Sequence, residues 1–185
     1  MSASAQPAAR RRALRIAIRV VVPVVFALSL YYLFTHVIRF GYIVSGSMEP
    51  TLEQGEYYVV RLHAYRNQSL PERGQIIVFE GPDGSPYVKR VVGLPGDRLY
   101  IVGGNVWLNG GWLTEPYLKE RPGLSPPITL EMPEDRVFVL GDNRNLSEDS
   151  RDYGPVPADN IIGLVTRIVW PLRQARVLAP PDHNG

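Results

Sequence analysis

Two serines flank a glycine in Val44-Ser45-Gly46-Ser47-Met48-Glu49-Pro50-Thr51-Leu52. A serine hydroxyl becomes a useful nucleophile only when a neighbouring group takes its proton. Histidine is the familiar base, but His63, in Arg61-Leu62-His63-Ala64-Tyr65, has no acid beside it in sequence to orient its ring, and His36 and His183 lie towards the two ends of the chain. Lysine is the other candidate, and the chain has just two. Lys119 stands beside Glu120 and Arg121 and reads as a solvated surface residue. Lys89 stands in Tyr87-Val88-Lys89-Arg90-Val91-Val92, where strand alternation puts it on one face with Tyr87 and Val91 and puts Arg90 on the other with Val88 and Val92. On a buried face the ammonium is disfavoured and the lysine pKa falls, which makes a base. On an exposed edge the same side chain reaches water and stays charged.

A third polar segment runs from Leu140 to Gly154 (LGDNRNLSEDSRDYG), directly after an apolar run. It is either a solvated charged turn or a loop that brings hydroxyls and ion pairs to a site. Asp142, Asn143, Asp149 and Asp152 could offer oxygens to calcium, but the spacing is not that of a calcium loop, and Arg144 and Arg151 oppose it.

The elements that must hold these segments are strands. Gly and Pro number 17 each in 185 residues, punctuation suited to short strands and turns rather than helices. Beyond residue 40, β-branched and aromatic runs recur at Tyr42–Val44, Tyr57–Leu62, Gln75–Phe79, Tyr87–Leu94, Leu99–Val102, Val106–Leu108, Arg136–Leu140 and Ile162–Trp170. Gly103-Gly104-Asn105 predicts a hairpin, Asn109-Gly110-Gly111 the next turn, and 155–160 a short helical turn before the last strand. Residues 114–135 are Pro-rich and polar and predict a long surface excursion, and 174–185 a flexible tail.

Charge is unevenly placed. Residues 1–19 hold Arg10, Arg11, Arg12, Arg15 and Arg19 and no acid, leaving 15 basic against 18 acidic residues, net −3, in the rest. A basic nucleic-acid groove in the main domain is disfavoured. Residues 20–38, VVVPVVFALSLYYLFTHVI, are uncharged. As a helix they would span roughly 28 Å, one hydrocarbon core. The arginines before them predict a cytoplasmic N-terminus at 1–19 and an extracytoplasmic domain from 39 to 173. A cleaved leader has the same charge order, but Thr35-His36-Val37-Ile38-Arg39 offers no A-x-A-like cleavage site. With no cysteine, disulfides and thiolate chemistry are excluded. The fold expected is mainly β: a coiled antiparallel sheet domain on one N-terminal transmembrane helix.

VSGSMEPTL, YVKRVVGLPGD and GDNRNLSEDSRDYG, in that order after an apolar anchor and followed by VPADNIIGLVTRIVWPL, resemble the boxes of bacterial type I signal peptidases over about residues 15–173. The resemblance implies a Ser–Lys dyad on a β catalytic domain outside the membrane, with Ser47 as nucleophile and Lys89 as general base. Ser45 would join the Ser47 backbone N–H in the oxyanion hole, and Ser147 would orient the lysine. Arg90 with Asp142, and Asp149 with Arg151, would support the site. Ile43, Met48, Leu52, Tyr87 and Val88 would line the P1 and P3 pockets, giving an Ala-x-Ala preference. It further implies preprotein substrates with signal peptides, a lipid bilayer as surroundings, no nucleic-acid partner, and no metal or organic cofactor. Three positions depart from the pattern: Val44 where Pro precedes the first serine, Glu56 where Asp follows Gly55, and Asn145-Leu146 where a more polar pair is usual. Two other classes remain open on the residues: a non-enzymatic anchored β-domain that binds a protein partner, and a Ser–Lys protease of the self-cleaving repressor type.

Overall fold

The computed structural model describes residues 6–65, 69–123 and 125–180. The chain divides into two units, residues 1–38 and 39–185. In the first, helix α1 runs over Gln6–Tyr32 and widens into a π turn over Leu33–Val37. The stretch Leu14–Val37 is long and apolar enough to cross a membrane, and its large side chains are exposed. The expected span of 20–38 is corrected at its far end, because Ile38 has extended backbone and opens the first strand. The helix also begins ahead of the arginines, at Gln6, and runs through them. A run of Ala and Arg has high intrinsic helix propensity and needs no apolar face to continue the turn.

Among the described residues there are twelve strands, all in the second unit except for the first residue of β1: β1 (Ile38–Tyr42), β2 (Tyr57–Leu62), β3 (Ile76–Glu80), β4 (Pro86–Gly93), β5 (Arg98–Val102), β6 (Asn105–Leu108), β7 (Gly111–Trp112), β8 (Ile128–Glu131), β9 (Arg136–Leu140), β10 (Val156–Pro157), β11 (Ile161–Trp170) and β12 (Arg176–Val177). A large sheet has the order β1-β2-β11-β3-β4-β9-β10, with β12 also on β11. A small sheet has the order β7-β6-β5-β8. Pairing is antiparallel from β2 through β12. Gly103 and Gly104 both carry positive φ in a two-residue turn, the conformation that matches hairpin twist.

Central strand β3 is buried on both faces. Ile76 and Val78 join Ile43, Met48, Leu52, Val60, Val165 and Ile168 on one side. Ile77 and Phe79 join Val91, Val137, Val139 and Val156 on the other. A third cluster, with Val92, Leu99, Ile101, Val106, Phe138 and Leu140, fastens the small sheet to the ends of β4 and β9. Strands with both faces covered form the rigid floor from which the polar loops leave.

Two expectations are revised. The 114–135 excursion is partly structural: β8 pairs with β5, and Met132 is in the core. Arg144 is buried against Glu115, donates 2.6 Å to the Gly104 carbonyl, and so ties this segment to the polar loop after β9. The end of the domain is not at 173 either. A 3-10 turn over Leu172–Gln174 leads into β12, where Arg176 and Val177 pair with Ile168 and Arg167 of β11. Residues 181–185 of the expected tail lie outside the described residues.

Candidate active site

Two loops and one strand converge. Ser45 and Ser47 follow β1 in a turn closed by the Glu49 N–H to the Gly46 carbonyl (3.2 Å) and the Leu52 N–H to the Met48 carbonyl (2.9 Å). Lys89 comes from β4, opposite Ile77 of β3, with its ammonium 5.8 Å from the Tyr87 ring centre. The third contributor is the loop after β9. Asn143 donates from its backbone N–H to the Ser47 carbonyl (3.0 Å) and from its side-chain amide to the Gly46 carbonyl (3.1 Å), so this loop grips the Ser47 turn on both peptides.

Lys89 Nζ donates to Ser47 Oγ at 2.9 Å, with both residues buried. Ser45 Oγ donates to Ser47 Oγ at 3.3 Å. Burial pulls the Lys89 pKa below the ordinary lysine range. Asp149, Glu148 and Asp142 oppose the shift and Arg151 adds to it; burial wins. Asp142 and Asp149 are each paired with an arginine rather than with Lys89. Arg90 forms a two-pronged pair with Asp142 (2.8 and 2.6 Å), while Arg151 does the same with Asp149 (2.8 and 3.0 Å). Arg90 also donates to the Gly74 carbonyl (2.8 Å) and Thr51 Oγ1 (3.2 Å), with its guanidinium 4.0 Å from the Tyr117 ring centre. Asp149 caps the short helix α2 (Ser150–Tyr153) and accepts from the Gly141 N–H at 2.9 Å. Among the described residues, the buried charges Glu56, Arg90, Asp97, Asp142, Arg144 and Asp149 all have ion-pair partners, and Lys89 does not.

Ser147 Oγ is buried and without a hydrogen-bond partner. It lies beside Gly141, where an added Cβ would collide with Ser147 and sit 2.6 Å from the Ser47 carbonyl. Ile43, Met48, Tyr87 and Val88 line a cleft of about 620 Å³ that also takes in Ser45, Ser47 and Lys89. Leu52, expected on the same wall, is instead fully buried in the core beneath it. Its neighbours in sequence, Thr51 and Glu53, give no cue to separate a cleft wall from the layer behind. Sequence reasoning missed Val44 and Leu146, both strongly exposed on the cleft, and Glu148 at its rim. It missed Asn143 as a clamp, which shows only once the two loops are folded together. His63 sits in the turn after β2 with φ of 53°, away from the cleft lining. Lys119 is exposed and pairs with Glu49 at 2.5 Å.

A hydroxyl held against an unpaired, desolvated amine, with a second hydroxyl beside it and an open apolar cleft in front, is an arrangement for acyl transfer. Similarity to known proteins gives the family. Residues 14–170 match the family model described as signal peptidase, peptidase S26. A probable signal peptidase I-2 of Synechocystis sp. is 38% identical over 152 residues, 78% of this chain and 68% of that protein. Signal peptidase IB of Staphylococcus aureus is 33% identical over 162 residues, 77% of this chain and 84% of that one. A crystal structure of a signal peptidase I from Enterococcus faecalis V583, at 32% identity, covers 52% of this chain and 97% of that one with a TM-score of 0.46. The chain belongs to the signal peptidase family, peptidase S26. It is a membrane-anchored serine endopeptidase that removes signal peptides from preproteins, and the readings as a non-enzymatic domain or a repressor-type protease fall away.

Replacing Gly141 with alanine tests how tightly the loops are fitted. The added methyl meets backbone at the Ser47 carbonyl, which cannot swing aside as a side chain can. A displacement of about 1 Å at a reacting group costs on the order of 100-fold in rate. Gly141→Ala should therefore lose roughly that factor in kcat while remaining folded, measured by preprotein cleavage alongside a melting curve.

Proposed function

We propose that Ser47 and Lys89 are the catalytic dyad of this peptidase. The observation that carries the reading is the 2.9 Å contact between Nζ and Oγ, made by a lysine that is buried yet unpaired. Neutral Lys89 takes the Ser47 proton as the hydroxyl oxygen attacks the scissile carbonyl. Ser45 and the Ser47 backbone N–H stabilise the oxyanion, each donor worth about 3–4 kcal/mol in comparable sites. The tetrahedral intermediate collapses, and Lys89 gives the proton to the departing amine. Water, with Lys89 again as base, then hydrolyses the acyl-enzyme. Ser147 Oγ, buried and with no hydrogen-bond partner, would accept from the Lys89 ammonium while that extra proton is held. Arg90–Asp142 and Asp149–Arg151 hold the strand and the loop rather than touch substrate. Substrate enters by strand addition. Pro86–Lys89 of β4 pair with β3 on one side only, since β9 joins β4 from Arg90 onward. An extended peptide between that edge and 41–45 would place its P1 and P3 side chains towards the enzyme.

Ser47→Ala, Lys89→Met and Lys89→Arg should each lose at least about 1000-fold in cleavage, the arginine because a guanidinium keeps its proton. His63→Ala should stay active. In wild type, kcat/KM should rise with pH through a pKa lying below the ordinary lysine range, because only neutral Lys89 is a base and burial lowers its pKa. A profile with no acid limb, or an active Lys89→Met, contradicts the dyad.

The cleft wall of Ile43, Met48, Tyr87 and Val88 offers no charge, so it favours small apolar P1 and P3 residues. A missing methyl costs only about 1–3 kcal/mol, whereas a wall excludes larger groups sharply. Preproteins with P1 Ala→Gly should be cut more slowly and P1 Ala→Leu or Ala→Asp hardly at all, read by mass of the products. Efficient cutting after Leu would reject these pockets.

The anchor is proposed to cross once, with residues 1–19 in the cytoplasm and the β-domain, from 39 to about 178, outside. The arginine-rich start supports that direction. Protease added to spheroplasts should cut the β-domain and spare the arginine cluster; the reverse pattern contradicts it.

A further inference from the structure

The C-terminal strand carries a side chain that reaches back to the nucleophile's turn. Arg176, on β12, forms a two-pronged pair with Glu56 (2.6 and 3.1 Å) and donates to the Thr51 carbonyl at 2.6 Å. Glu56 is fully buried and also accepts from the Glu53 N–H at 2.9 Å. Its own carbonyl accepts from the Ile43 N–H at 2.9 Å, and the Gly55 N–H donates to the Ile43 carbonyl at 3.0 Å. Glu56 therefore closes the loop that leaves the cleft wall at Ile43, passes Ser45 and Ser47, and returns at 56. Thr51, midway round, is held from both ends: its hydroxyl by Arg90, which sits next to Lys89 in β4, and its carbonyl by Arg176. Arg176 is fixed in turn by the β12–β11 pairing and by the Leu178 N–H to the Thr166 carbonyl at 3.0 Å.

We infer that Arg176 is a positioning residue for catalysis: β12 is a clasp that fixes the Ser47 turn against the strand bearing Lys89. The inference rests on Ser47 being the nucleophile. It also gives Glu56 its reason. At that position a carboxylate one methylene longer than aspartate meets a guanidinium arriving from the end of the chain, which takes both its oxygens and still spans to the Thr51 carbonyl. A planar fork with donors on two nitrogens matches this spread of acceptors, whereas the three donors of an ammonium radiate from a single nitrogen.

The test uses the full chain in detergent micelles with a preprotein substrate, comparing Arg176→Ala, Arg176→Lys, the double variant Glu56→Gln/Arg176→Gln, and Ser47→Ala. Arg176→Ala should lower kcat about 10- to 100-fold with KM little changed, since the cleft wall stays while the Oγ–Nζ alignment loosens. Arg176→Lys should recover part of that loss. The double variant removes the buried unpaired charge and should restore the melting temperature but not kcat, because the Thr51 carbonyl is still released. Recovery of kcat in the double variant would make the pair purely structural and overturn the inference. So would wild-type kcat in Arg176→Ala, or a rise in KM at unchanged kcat. An active Ser47→Ala would instead remove the nucleophile on which the inference stands, and a dead Ser47→Ala beside a fully active Arg176→Ala would sink the clasp alone.

Discussion

A buried lysine without a counter-ion is the constraint around which this domain is arranged. Removing an ammonium from water is costly, and proteins ordinarily offset the cost with a carboxylate. Three carboxylates, Asp149, Glu148 and Asp142, lie within electrostatic reach of Lys89 and favour its charged form, and burial outweighs them. Two, Asp142 and Asp149, are occupied by Arg90 and Arg151, whose own positive charge is thereby cancelled locally. Arg90 is the residue after Lys89 and faces the other side of the same strand, so alternation delivers one cation that is paired with a carboxylate and one that is buried without one. The buried ion pairs are weak evidence for added stability, since such pairs seldom gain more than they lose in desolvation. Their effect here is to leave Ser47 Oγ as the side-chain hydrogen-bond partner of Lys89 Nζ.

The fold supplies rigidity where this arrangement needs it. β3 and β4 are covered on both faces, so Lys89 projects from a strand that has little freedom to shift. The Ser47 turn lies outside regular strand structure and is gripped instead from three directions: by Asn143 from the loop after β9, by Arg90 through Thr51, and by Arg176 from β12. The loop after β9 is itself tied down by Arg144 to Glu115 and Gly104, which makes the small sheet part of the support rather than an ornament on it. The cleft is open on the side where Val44 and Leu146 are exposed.

Much of this was legible in the residues. β2 and β9 lie where alternation and β-branched runs place them, and β3, β4, β5, β6 and β11 start or end within a residue or two of expectation. The Gly103-Gly104 hairpin follows from the need for positive φ. The grouping of Ser47, Lys89 and the loop after β9 followed from resemblance rather than from spacing, since residues 42 positions apart give no local sign of contact. What was not legible depends on tertiary partners. β8 hides in a Pro-rich stretch because its pairing with β5 is long-range. β12 is two residues long and has no periodicity to read. Arg176 looked like tail because the carboxylate that fixes it is 120 residues away, and Leu52 looked like cleft wall because sequence cannot tell the first apolar layer from the second.

The two lysines of the chain make the central claim directly measurable. Lys119 is exposed and its pKa is raised by the hydrogen bond to Glu49, so it serves as an internal reference for Lys89. Isotope labelling at lysine alone gives two side-chain resonances, assignable by Lys119→Arg, and their titration can be followed by NMR in detergent micelles. Lys89 should lose its proton at clearly lower pH than Lys119, and Ser47→Ala should leave that order intact because burial, not the hydroxyl, sets it. Two lysines titrating together in the ordinary lysine range would contradict a desolvated, unpaired base and the mechanism built on it.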